Sequence, residues 1–442
     1  METLIENIVI YASVFLLCLA AVLFYLWKQR KNSRIVDEKI KIAKQEGLYE
    51  PVSLHPVINV NHCIRTGACI SACPEEDILG IRNGKATTIN ASSCIGHGAC
   101  FHACPTHAIT LCIGTETRGV ELPHVNKNFE SNVTGIFIAG ELGGMGLIKN
   151  SVEQGKQAVE NIVKSLVKGH TANYDLVIIG AGPAGISAAL SAKKHNINSI
   201  ILEQDTLGGT VFSFPRSKIV MTSPMDLPLY GKVKLFETSK TELLDLWKTL
   251  ISKHNINIKE YSKVESIIQE NNLFKISTLT GEEYISKKVL LAIGRRGTPR
   301  KLGVQGEELE KVTYRLLDPE IIKDKNILVV GGGDSAIEAA LMLSDQNKVI
   351  LSYRSEAFNR IKPANNTKIK EAIETGSVDV RFNTNVVKID KEQVLITNKD
   401  NKEETFKNDL VYIFAGGELP SQFLQKVGID ISKKYGEAIL KH

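Results

Sequence analysis

The residues with the clearest chemical potential are cysteines, and six of the eight lie between Cys63 and Cys104. They form two copies of one pattern, CIRTGACISACP beginning at Cys63 and CIGHGACFHACP beginning at Cys94. Short, repeated spacing of thiols indicates metal binding rather than a disulfide framework, and disulfides are disfavoured in a reducing compartment. The duplication therefore predicts two related metal sites, made of iron–sulfur clusters or, alternatively, zinc. Zinc sites favour paired C-x2-C knuckles, which neither copy has.

The repeat resembles the bacterial two-cluster ferredoxins. Their C-x2-C-x2-C-x3-C-P run gives three ligands to one cluster and its fourth cysteine to the other. The resemblance implies two iron–sulfur clusters in a small α+β domain. It assigns their cysteine ligands by position as two sets of three: Cys63, Cys69 and Cys104, and then Cys94, Cys100 and Cys73.

The second cysteine of the ferredoxin pattern is missing from both copies, where Thr66 and His97 stand instead. Three thiolates suit a 3Fe-4S cluster, or a 4Fe-4S cluster whose fourth ligand is not a thiolate. We predict that His97 is a nitrogen ligand of the second cluster; the alternative is a structural histidine. Thr66 is a poor ligand, and Cys112 is expected to pack beneath a sheet rather than to bind metal.

A second chemical signature is a glycine-rich turn between an apolar run and an Ala-rich helical pattern. Its spacing is that of the dinucleotide fingerprint G-x-G-x-x-G, and the next apolar run ends in an acid. The glycines permit a tight turn and backbone approach to a pyrophosphate, whose charge the helix N-terminus attracts. The alternative is a buried βαβ unit without a ligand. We predict a dinucleotide site that comprises Gly180, Gly182, Pro183, Ala184, Gly185 and the ribose-binding acid Glu203.

A second fingerprint follows the apolar run NILVV and predicts a nicotinamide dinucleotide site. The residues of its turn are Gly331, Gly333, Asp334, Ser335 and Ala336. The next strand, Val349–Ser352, ends in Tyr353 and Arg354 and not in an acid. Arg354 and Arg360, with Lys362 nearby, are suited to a 2′-phosphate, which favours NADPH over NADH. The alternative for these cations is a solvated basic loop.

The chain from Tyr174 onward resembles the thioredoxin-reductase-like flavoproteins, and in particular the bacillithiol-disulfide-reductase-like ones, through these fingerprints and the stretch YR…RIKP. The resemblance implies FAD at the first fingerprint and NADPH at the second. It also implies that the loop Gly208, Gly209 and Thr210 lies along the flavin. Thioredoxin reductases carry a C-x2-C pair beside the flavin, whereas this chain has no cysteine after Cys112.

Residues 120–168 contain a strand, Gly135–Ala139, then Gly140 and Glu141, a glycine patch and an amphipathic helix. They resemble the flavin motif with which that family ends, so Glu141 takes the part of its flavin-binding acid. The stretch Val411–Ile429 resembles the return from the nucleotide domain, after which the family would continue into this motif. We therefore predict a permuted flavin domain, in which residues 120–168 supply the missing strand and helix. The alternative is an ordinary strand–helix linker.

The N-terminal run Ile8–Trp27 has no charged residue in twenty positions. A helix of that length spans about 30 Å, the thickness of the hydrocarbon core of a bilayer. Positive residues follow at once, which places the rest of the chain in the cytoplasm by the positive-inside rule. A cleaved signal peptide is the alternative, but its positive charges would precede a shorter apolar core. We predict a single-pass anchor in the cytoplasmic membrane.

Composition is consistent with a globular α/β protein: 442 residues, 43% hydrophobic, 34 glycines and a net charge of only +5. The sequence has no basic stripe with interleaved aromatic residues, so we do not expect nucleic acid as a partner. We predict an α/β fold class with two Rossmann-like domains, a small α+β ferredoxin-like domain and one transmembrane helix. The expected segments are a transmembrane anchor (1–30), a linker (31–54), the ferredoxin-like domain (55–115), the main FAD domain (116–297), the NAD(P)H domain (298–410) and an FAD-domain return (411–442).

These features predict an oxidoreductase that passes electrons between NADPH, FAD, two iron–sulfur clusters and a one-electron carrier. Hydride transfer needs no acid–base side chain, so we assign no catalytic residue. Two alternatives remain: a low-molecular-weight disulfide reductase, and a non-catalytic redox sensor or subunit of a membrane electron-transfer complex. The expected partners are the lipid bilayer and a carrier, either a ferredoxin, a quinone or a redox protein; a homodimer is possible.

Overall fold

The structure is a computed structural model. It describes residues 2–45, 49, 51, 54–75, 77–94, 96, 98–144, 147–166, 172–214, 219–221, 224–233, 237–295, 298–358, 361–418 and 420–440. His97 and Arg360, two of the predicted site residues, lie outside these ranges.

The α-helices in the described ranges are α1 (Glu2–Gln45), α2 (Ala68–Ser71), α3 (Ala99–Ala103), α4 (Ile148–Ser165), α5 (Pro183–Lys194), α6 (Lys240–Lys253), α7 (Asp334–Ser344), α8 (Pro363–Glu374) and α9 (Ser421–Lys426). The strands are β1 (Leu54–Ile58), β2 (Leu79–Arg82), β3 (Lys85–Thr88), β4 (Ile109–Ile113), β5 (Val120–Pro123), β6 (Ile136–Ile138), β7 (Tyr174–Ile179), β8 (Ser199–Leu202), β9 (Ile219–Met221), β10 (Met225–Leu227), β11 (Gly231–Val233), β12 (Glu237–Ser239), β13 (Ile258–Lys259), β14 (Val264–Glu270), β15 (Leu273–Thr278), β16 (Glu283–Leu291), β17 (Thr298–Pro299), β18 (Val312–Thr313), β19 (Asn326–Val330), β20 (Lys348–Tyr353), β21 (Val378–Phe382), β22 (Thr384–Ile389), β23 (Gln393–Asn398), β24 (Glu403–Lys407), β25 (Leu410–Ile413), β26 (Gly417–Glu418), β27 (Ile431–Lys434) and β28 (Glu437–Leu440).

The chain forms two compact units, one of residues 1–119 with 435–442 and one of residues 120–434. In the first unit the cysteine repeat forms a small sheet, β1-β4-β28, a hairpin of β2 and β3, and the short helices α2 and α3. β4 pairs antiparallel with β1 on one edge and with β28 on the other. The last strand therefore completes the module of the cysteine repeat, whereas the sequence analysis placed residues 411–442 in the flavin domain.

Helix α1 is longer than the predicted anchor and continues through residues 31–45, which were expected to form a linker. Its second half is amphipathic in effect, because Ser33, Ile40 and Ala43 are buried while the residues between them are mostly exposed. Val36 packs against Gly80 of β2. The helix persists because this face packs on the module, a tertiary contact that the charged composition of the segment did not reveal.

The second unit contains the predicted flavin-type sheet, of order β13-β8-β7-β16-β15-β14. The long strand β16 pairs parallel with β7 along one edge. On its other edge it pairs first with β15, antiparallel, and then with β6, parallel, through Val289–Leu291 and Ile136–Ile138. The predicted strand of residues 120–168 therefore takes its place in the flavin sheet beside β16, although it precedes the glycine turn in the chain.

Helix α4 also lies where the permutation requires it, against α5 and one face of this sheet. Its buried side chains Val159 and Ile162 join a core with Leu176 and Ile178 of β7 and the alanines of α5. The two helices approach closely at Gly155, where a Cβ would overlap the carbonyl oxygen of Ala184. A side chain at residue 155 would push α4 off the helix that follows the glycine turn.

The second Rossmann-like sheet has the order β18-β25-β19-β20-β21. β25 pairs parallel with β19, so Leu410–Ile413 belongs to the nucleotide domain and not to the flavin-domain return that was expected to begin at residue 411. The return begins later: α9 places Leu424 in the core of the flavin sheet, and β27 pairs antiparallel with β5. A central strand has the same apolar sequence pattern in either sheet, so only its pairing with neighbouring strands shows to which domain it belongs.

Gly155→Ala tests the contact between α4 and α5. Helix propensity alone would stabilise the protein by about 1 kcal/mol. Because the methyl group overlaps the Ala184 carbonyl, we expect net destabilisation of about 1–3 kcal/mol and weaker flavin retention. Denaturant unfolding and flavin content measure both effects. The control is Gln157→Ala, on the exposed side of the same helix; a stabilised Gly155→Ala variant would contradict the contact.

Candidate functional site

A crevice opens where β7, β16 and β6 end, and the first glycine turn lies in it. Gly180 has φ +105°, and a Cβ there would lie 2.5 Å from the carbonyl oxygen of Ala292. Gly182 caps α5, which begins with Pro183, and the space where its Cβ would stand is open. A pyrophosphate could therefore reach the backbone at the helix N-terminus. Gly185 is buried inside α5, where its lack of a side chain lets the turn fold back onto the helix.

Glu203 follows β8 and is buried beside this turn. Its two carboxylate oxygens accept hydrogen bonds from the backbone N–H of Ala181 at 2.6 Å and of Asp205 at 3.0 Å. Burial raises the pKa of Glu203, although these hydrogen bonds act in the opposite direction. A carboxylate oxygen has room for a second hydrogen bond, so the side chain is held in place to accept one from a ribose hydroxyl.

The loop Gly208–Thr210 closes one side of the crevice. The backbone N–H of Gly208 donates to the carbonyl oxygen of Ala181 at 3.0 Å. A Cβ on Gly209, whose φ is +53°, would lie 3.4 Å from the Cα of Gly182. These contacts place the loop against the glycine turn.

Gly140 and Glu141 lie on the other side, where the parallel strand β6 carries them. A Cβ on Gly140 would lie 3.0 Å from the Cβ of Ala184, and one on Gly294 would lie 3.9 Å from Oε2 of Glu141. The backbone N–H of Gly140 donates to Oε1 of Gln154 in α4 at 2.8 Å. Two segments that are distant in the sequence thus meet at one crevice, and the residues present fit an adenine dinucleotide with a flavin.

The second fingerprint forms a similar turn between β19 and α7. Gly331 has φ +142°, Ala336 is fully buried, and the position of a Cβ on Gly333 is open. Asp334 Oδ1 accepts hydrogen bonds from the backbone N–H of Lys362 at 2.8 Å and from Asn365 at 2.7 Å. Asp334 therefore holds the start of α8 next to the turn, and Ser335 follows it in the first turn of α7.

Arg354 stands exposed at the end of β20. Tyr353 before it stacks on Phe358 with 5.6 Å between ring centroids, and its ring occupies the space that a side chain on Gly332 would need. The aromatic pair fixes the end of the strand beside the second glycine turn, and Arg354 follows Tyr353 directly in the chain. A 2′-phosphate fits such a cation.

The first set of predicted cluster ligands lines one cavity. It is bounded by Cys63, Cys69 and Cys104 together with Thr66, Thr106 and Arg65. The backbone N–H of Ala86 donates to the sulfur of Cys63 at 3.4 Å, and that of Ala108 to the sulfur of Cys104 at 3.2 Å. Thr66 lies at the wall of the cavity, at the place of the missing thiolate.

The second set is also brought together. Burial, together with the nearby charges of Cys94 and Cys73, raises the pKa of Cys100 to about 12. Burial likewise raises the pKa of Cys94 to about 11. Burial also acts to raise the pKa of Cys104. Hydrogen bonds from Ala108 and Thr106 outweigh this effect, so the pKa of Cys104 is lowered. Without a metal, buried thiols such as Cys94 and Cys100 hold their protons at neutral pH, so loading of this site must release them.

The arrangement of the first cysteine set suits a cluster. A cluster binds its cysteines at separate corners, which fits three sulfurs around one cavity with backbone N–H groups directed at two of them. Cys112 is buried in β4, as expected.

Three residues of these sites were not identified from the sequence. Gln154 binds the backbone of Gly140, Gly294 lies beside Glu141, and Tyr353 packs on the second glycine turn. Gln154 stands on the amphipathic helix seven residues after its cap, where a polar residue carries no sequence signal. Gly294 follows the β16 strand in the stretch AIG, and its glycine was the available clue.

Two family models match the chain. The model described as pyridine nucleotide-disulphide oxidoreductase matches residues 177–441, and that of a 4Fe-4S dicluster domain matches residues 55–105. The first covers more than half of the chain and both glycine turns. The second covers all six repeat cysteines and ends one residue after the last of them, Cys104.

Similar proteins are oxidoreductases. Bacilliredoxin reductase of Bacillus subtilis is 28% identical over 266 residues, 59% of this chain and 82% of that protein. A ferredoxin–NADP reductase of Picrophilus torridus is 35% identical over 244 residues, 54% of this chain and 69% of that protein. The solved bacillithiol disulfide reductase of Staphylococcus aureus superposes with a TM-score of 0.52 at 25% identity, covering 60% of this chain and 85% of that one.

The predicted resemblance to thioredoxin-reductase-like flavoproteins fused to a ferredoxin module is thereby confirmed. The relatives and the two family models together indicate FAD, a nicotinamide dinucleotide phosphate and iron–sulfur clusters as the cofactors. This chain belongs to the pyridine nucleotide-disulphide oxidoreductase family and is an FAD-dependent NAD(P)H oxidoreductase that also carries iron–sulfur clusters.

Proposed function

We propose that this protein is a membrane-anchored electron-transfer enzyme that passes electrons between NADPH, FAD and two iron–sulfur clusters, and from them to or from a one-electron carrier. The main observation that supports this proposal is the distribution of cysteines along the chain. The flavoprotein part has none after Cys112, so no internal dithiol can take electrons from the flavin. Seven of the eight thiols lie instead between Cys63 and Cys112, in a module where three predicted ligands line one cavity.

When bound, FAD converts the two electrons of a hydride into single electrons, and iron–sulfur clusters carry one electron at a time. The residues of the chain bind and orient these groups. The two glycine turns would hold the pyrophosphates, Glu203 the ribose and Glu141 the flavin portion of FAD. Arg354, with Arg360, would hold the 2′-phosphate of NADPH. Cys63, Cys69 and Cys104 would hold one cluster, and Cys73, Cys94 and Cys100 the other.

The anchor is supported by α1. One helix of the described chain is long and apolar enough to cross a membrane, and its apolar window is not covered by other parts of the protein. Tyr11, Leu17 and Phe24 are 74%, 71% and 63% exposed. Exposed apolar side chains on every face of a helix are unfavourable in water and suit lipid. The cations after Trp27 favour the cytoplasmic side for the enzyme.

A second candidate is supported by the relatives. Bacilliredoxin reductase and bacillithiol disulfide reductase are among the similar proteins, and their names describe reduction of a disulfide. Under this proposal the flavin would reduce an external disulfide partner. NADPH-dependent reduction of bacillithiol disulfide or of a bacilliredoxin, undiminished when Cys94 is replaced by Ser, would favour this function over the relay.

Anaerobic titration with NADPH tests the relay. We expect the flavin absorbance to bleach and reduced-cluster EPR signals to appear in the same titration, because electrons leave the flavin one at a time. In Cys94→Ser, which removes a ligand from one set, the flavin should still bleach and part of the EPR signal should be lost. Bleaching of the flavin in the unmodified protein, without any reduction of the clusters, would contradict the proposal.

Arg354→Gln tests the choice of NADPH. A charge-assisted hydrogen bond contributes about 1.5–3 kcal/mol, so we expect KM for NADPH to rise about 10- to 100-fold and KM for NADH to change little. Steady-state kinetics with both nucleotides and one artificial acceptor measure this. Arg381→Gln is the matched control, since Arg381 on the neighbouring strand already pairs with Asp379 at 2.8 Å. Equal losses with both nucleotides would argue against a 2′-phosphate contact.

His97→Cys tests the cluster type. Since His97 stands where the ferredoxin pattern has its second cysteine, the variant restores a fourth thiolate. We expect a three-iron EPR signal of the oxidised protein to give way to a four-iron signal of the reduced protein. Thr66→Cys is the matched variant for the first set, and iron analysis gives the metal content. If the spectrum of His97→Cys stayed unchanged, His97 would not be at the cluster.

A further inference from the structure

Helix α1 is joined to the cysteine module by contacts that run in order along its length. Arg65 donates to the hydroxyl of Tyr25 at 2.8 Å, and its guanidinium also lies 5.4 Å from the centre of that ring. One turn further, Gln29 approaches Gly84. After it, Ser33 accepts a hydrogen bond from the backbone N–H of Asn83 at 3.0 Å.

The same face continues toward the end of the helix with ion pairs. Asp37 pairs with Arg82 and Lys39 with Asp77, each at 2.5 Å. Exposed ion pairs contribute little energy individually. Together with the buried residues of α1, however, they define the position of the module along the helix axis. The module therefore cannot swing on a flexible tether; it sits at a set height relative to the apolar segment.

The two cysteine sites lie at different positions along the axis of α1. Arg65, which contacts Tyr25, lines the cavity of Cys63, Cys69 and Cys104. Lys39 lines a second cavity with Cys73. Tyr25 and Lys39 are separated by about 21 Å along the helix, at 1.5 Å per residue. The site of Cys63 is thus next to the end of the apolar segment, and the site of Cys73 lies well beyond it.

Tyr25 and Trp27 mark that end as a membrane interface. Both are exposed aromatic residues, and Lys31 lies 5.4 Å from the centre of the Trp27 ring. Tyr and Trp with adjacent cations are typical of the headgroup layer. Arg65 bonds to Tyr25 and so must lie at the same depth. It adopts a left-handed backbone conformation, φ 64°, which is costly for a residue other than glycine.

Two residues shortly before Arg65, Val60 and Ile64, are apolar and exposed, and the exposed polar residues Asn61 and His62 lie between them. Ile64 is 64% exposed and Val60 is 52% exposed, beside a cavity whose predicted ligand is Cys63. Isolated exposed apolar residues need no explanation. Here they stand next to a residue that the helix holds at interface depth, so their side chains lie where lipid is available to cover them.

We propose that the loop Val60–Arg65 rests in the lipid headgroup layer and that the Cys63 site is the exit of the electron pathway, where a lipid-soluble quinone is reduced. This inference rests on the membrane anchoring proposed above and names the carrier. The reaction is balanced as NADPH, one proton and quinone giving NADP⁺ and quinol; the clusters, when bound, would supply the two electrons one at a time. The quinone oxygens take up two protons from solvent, and the hydrogen of the hydride is released to solvent as a proton, so one proton is consumed overall.

Fluorescence quenching by brominated lipid tests the position of the loop. The chain has two tryptophans, and Trp247 is fully buried. In a Trp27→Phe background, Ile64→Trp is placed in nanodiscs of brominated or ordinary phosphatidylcholine with the clusters intact. The ratio of the two emissions cancels quenching by the clusters. We expect Ile64→Trp, and likewise Val60→Trp, to be quenched as strongly as Trp27 in the unmodified protein.

Ile42→Trp in the same background is the matched control. Ile42 is 46% exposed on α1 but about 25 Å beyond Tyr25, so bromine should leave its emission unchanged. Quenching of Trp27 together with none at residues 60 and 64 would overturn this inference and leave the anchor intact. Absence of quenching at Trp27 itself would overturn the proposed membrane anchoring.

Menaquinone in the same nanodiscs tests the carrier. We expect NADPH to be oxidised with formation of one menaquinol per NADPH. Val60→Asp, which puts a charge on the exposed loop away from the cysteine cavity, should slow this step while leaving NADPH-dependent reduction of a water-soluble dye unchanged. Formation of no menaquinol, with rapid reduction of an added ferredoxin, would overturn the quinone assignment.

Discussion

The structure depends on the parallel pairing of β6 with β16 at the edge of the flavin sheet. Without that strand, β16 would expose the hydrogen-bonding groups of its last residues, and the crevice would lack Gly140 and Glu141. Helix α4, which follows β6, covers the same face as α5 and contributes Val159 and Ile162 to the core. The position of β6 in the sheet is therefore determined by the free edge of β16, and not by the order of the segments along the chain.

Permutation of this kind is compatible with folding because termini of a domain commonly lie at its surface and close together. In this chain, β27 pairs with β5, so the segment that ends the flavoprotein part lies beside the one that begins it. Residues 120–123 and 431–434 are neighbours in space although more than three hundred positions separate them. The same closeness explains how an ordinary flavoprotein order could be cut at one place and joined at another without loss of the sheet.

The cysteine module is likewise completed by segments that are distant from it in the sequence. Its small sheet is completed by the last described strand, β28, and the second half of α1 packs on the hairpin strand β2. A domain of this size buries little apolar surface, and metal ligation is a common additional source of stability in small domains. The packing of α1 gives the module a rigid connection, so an apolar segment and a redox site share one orientation.

Motifs with strict local geometry were readable from the sequence alone: the two glycine turns, the cysteine duplication and the apolar run. Each needs particular residue types at particular spacing, because a phosphate must approach backbone, a cluster needs thiolates and a bilayer excludes charge. The strand that precedes Gly140 was also identified, because its motif carried its own signature.

Only the tertiary structure decided which sheet each apolar strand joins. Leu410–Ile413 pairs in the nucleotide sheet and Glu437–Leu440 in the cysteine module, although both were expected in the flavin domain. Likewise, residues 31–45 remain helical because a face of α1 packs on β2, and Gln154 became relevant because α4 passes under Gly140. These outcomes depend on long-range pairing and packing. Such interactions leave little trace in local composition, whereas the ligand-binding turns are determined almost entirely by it.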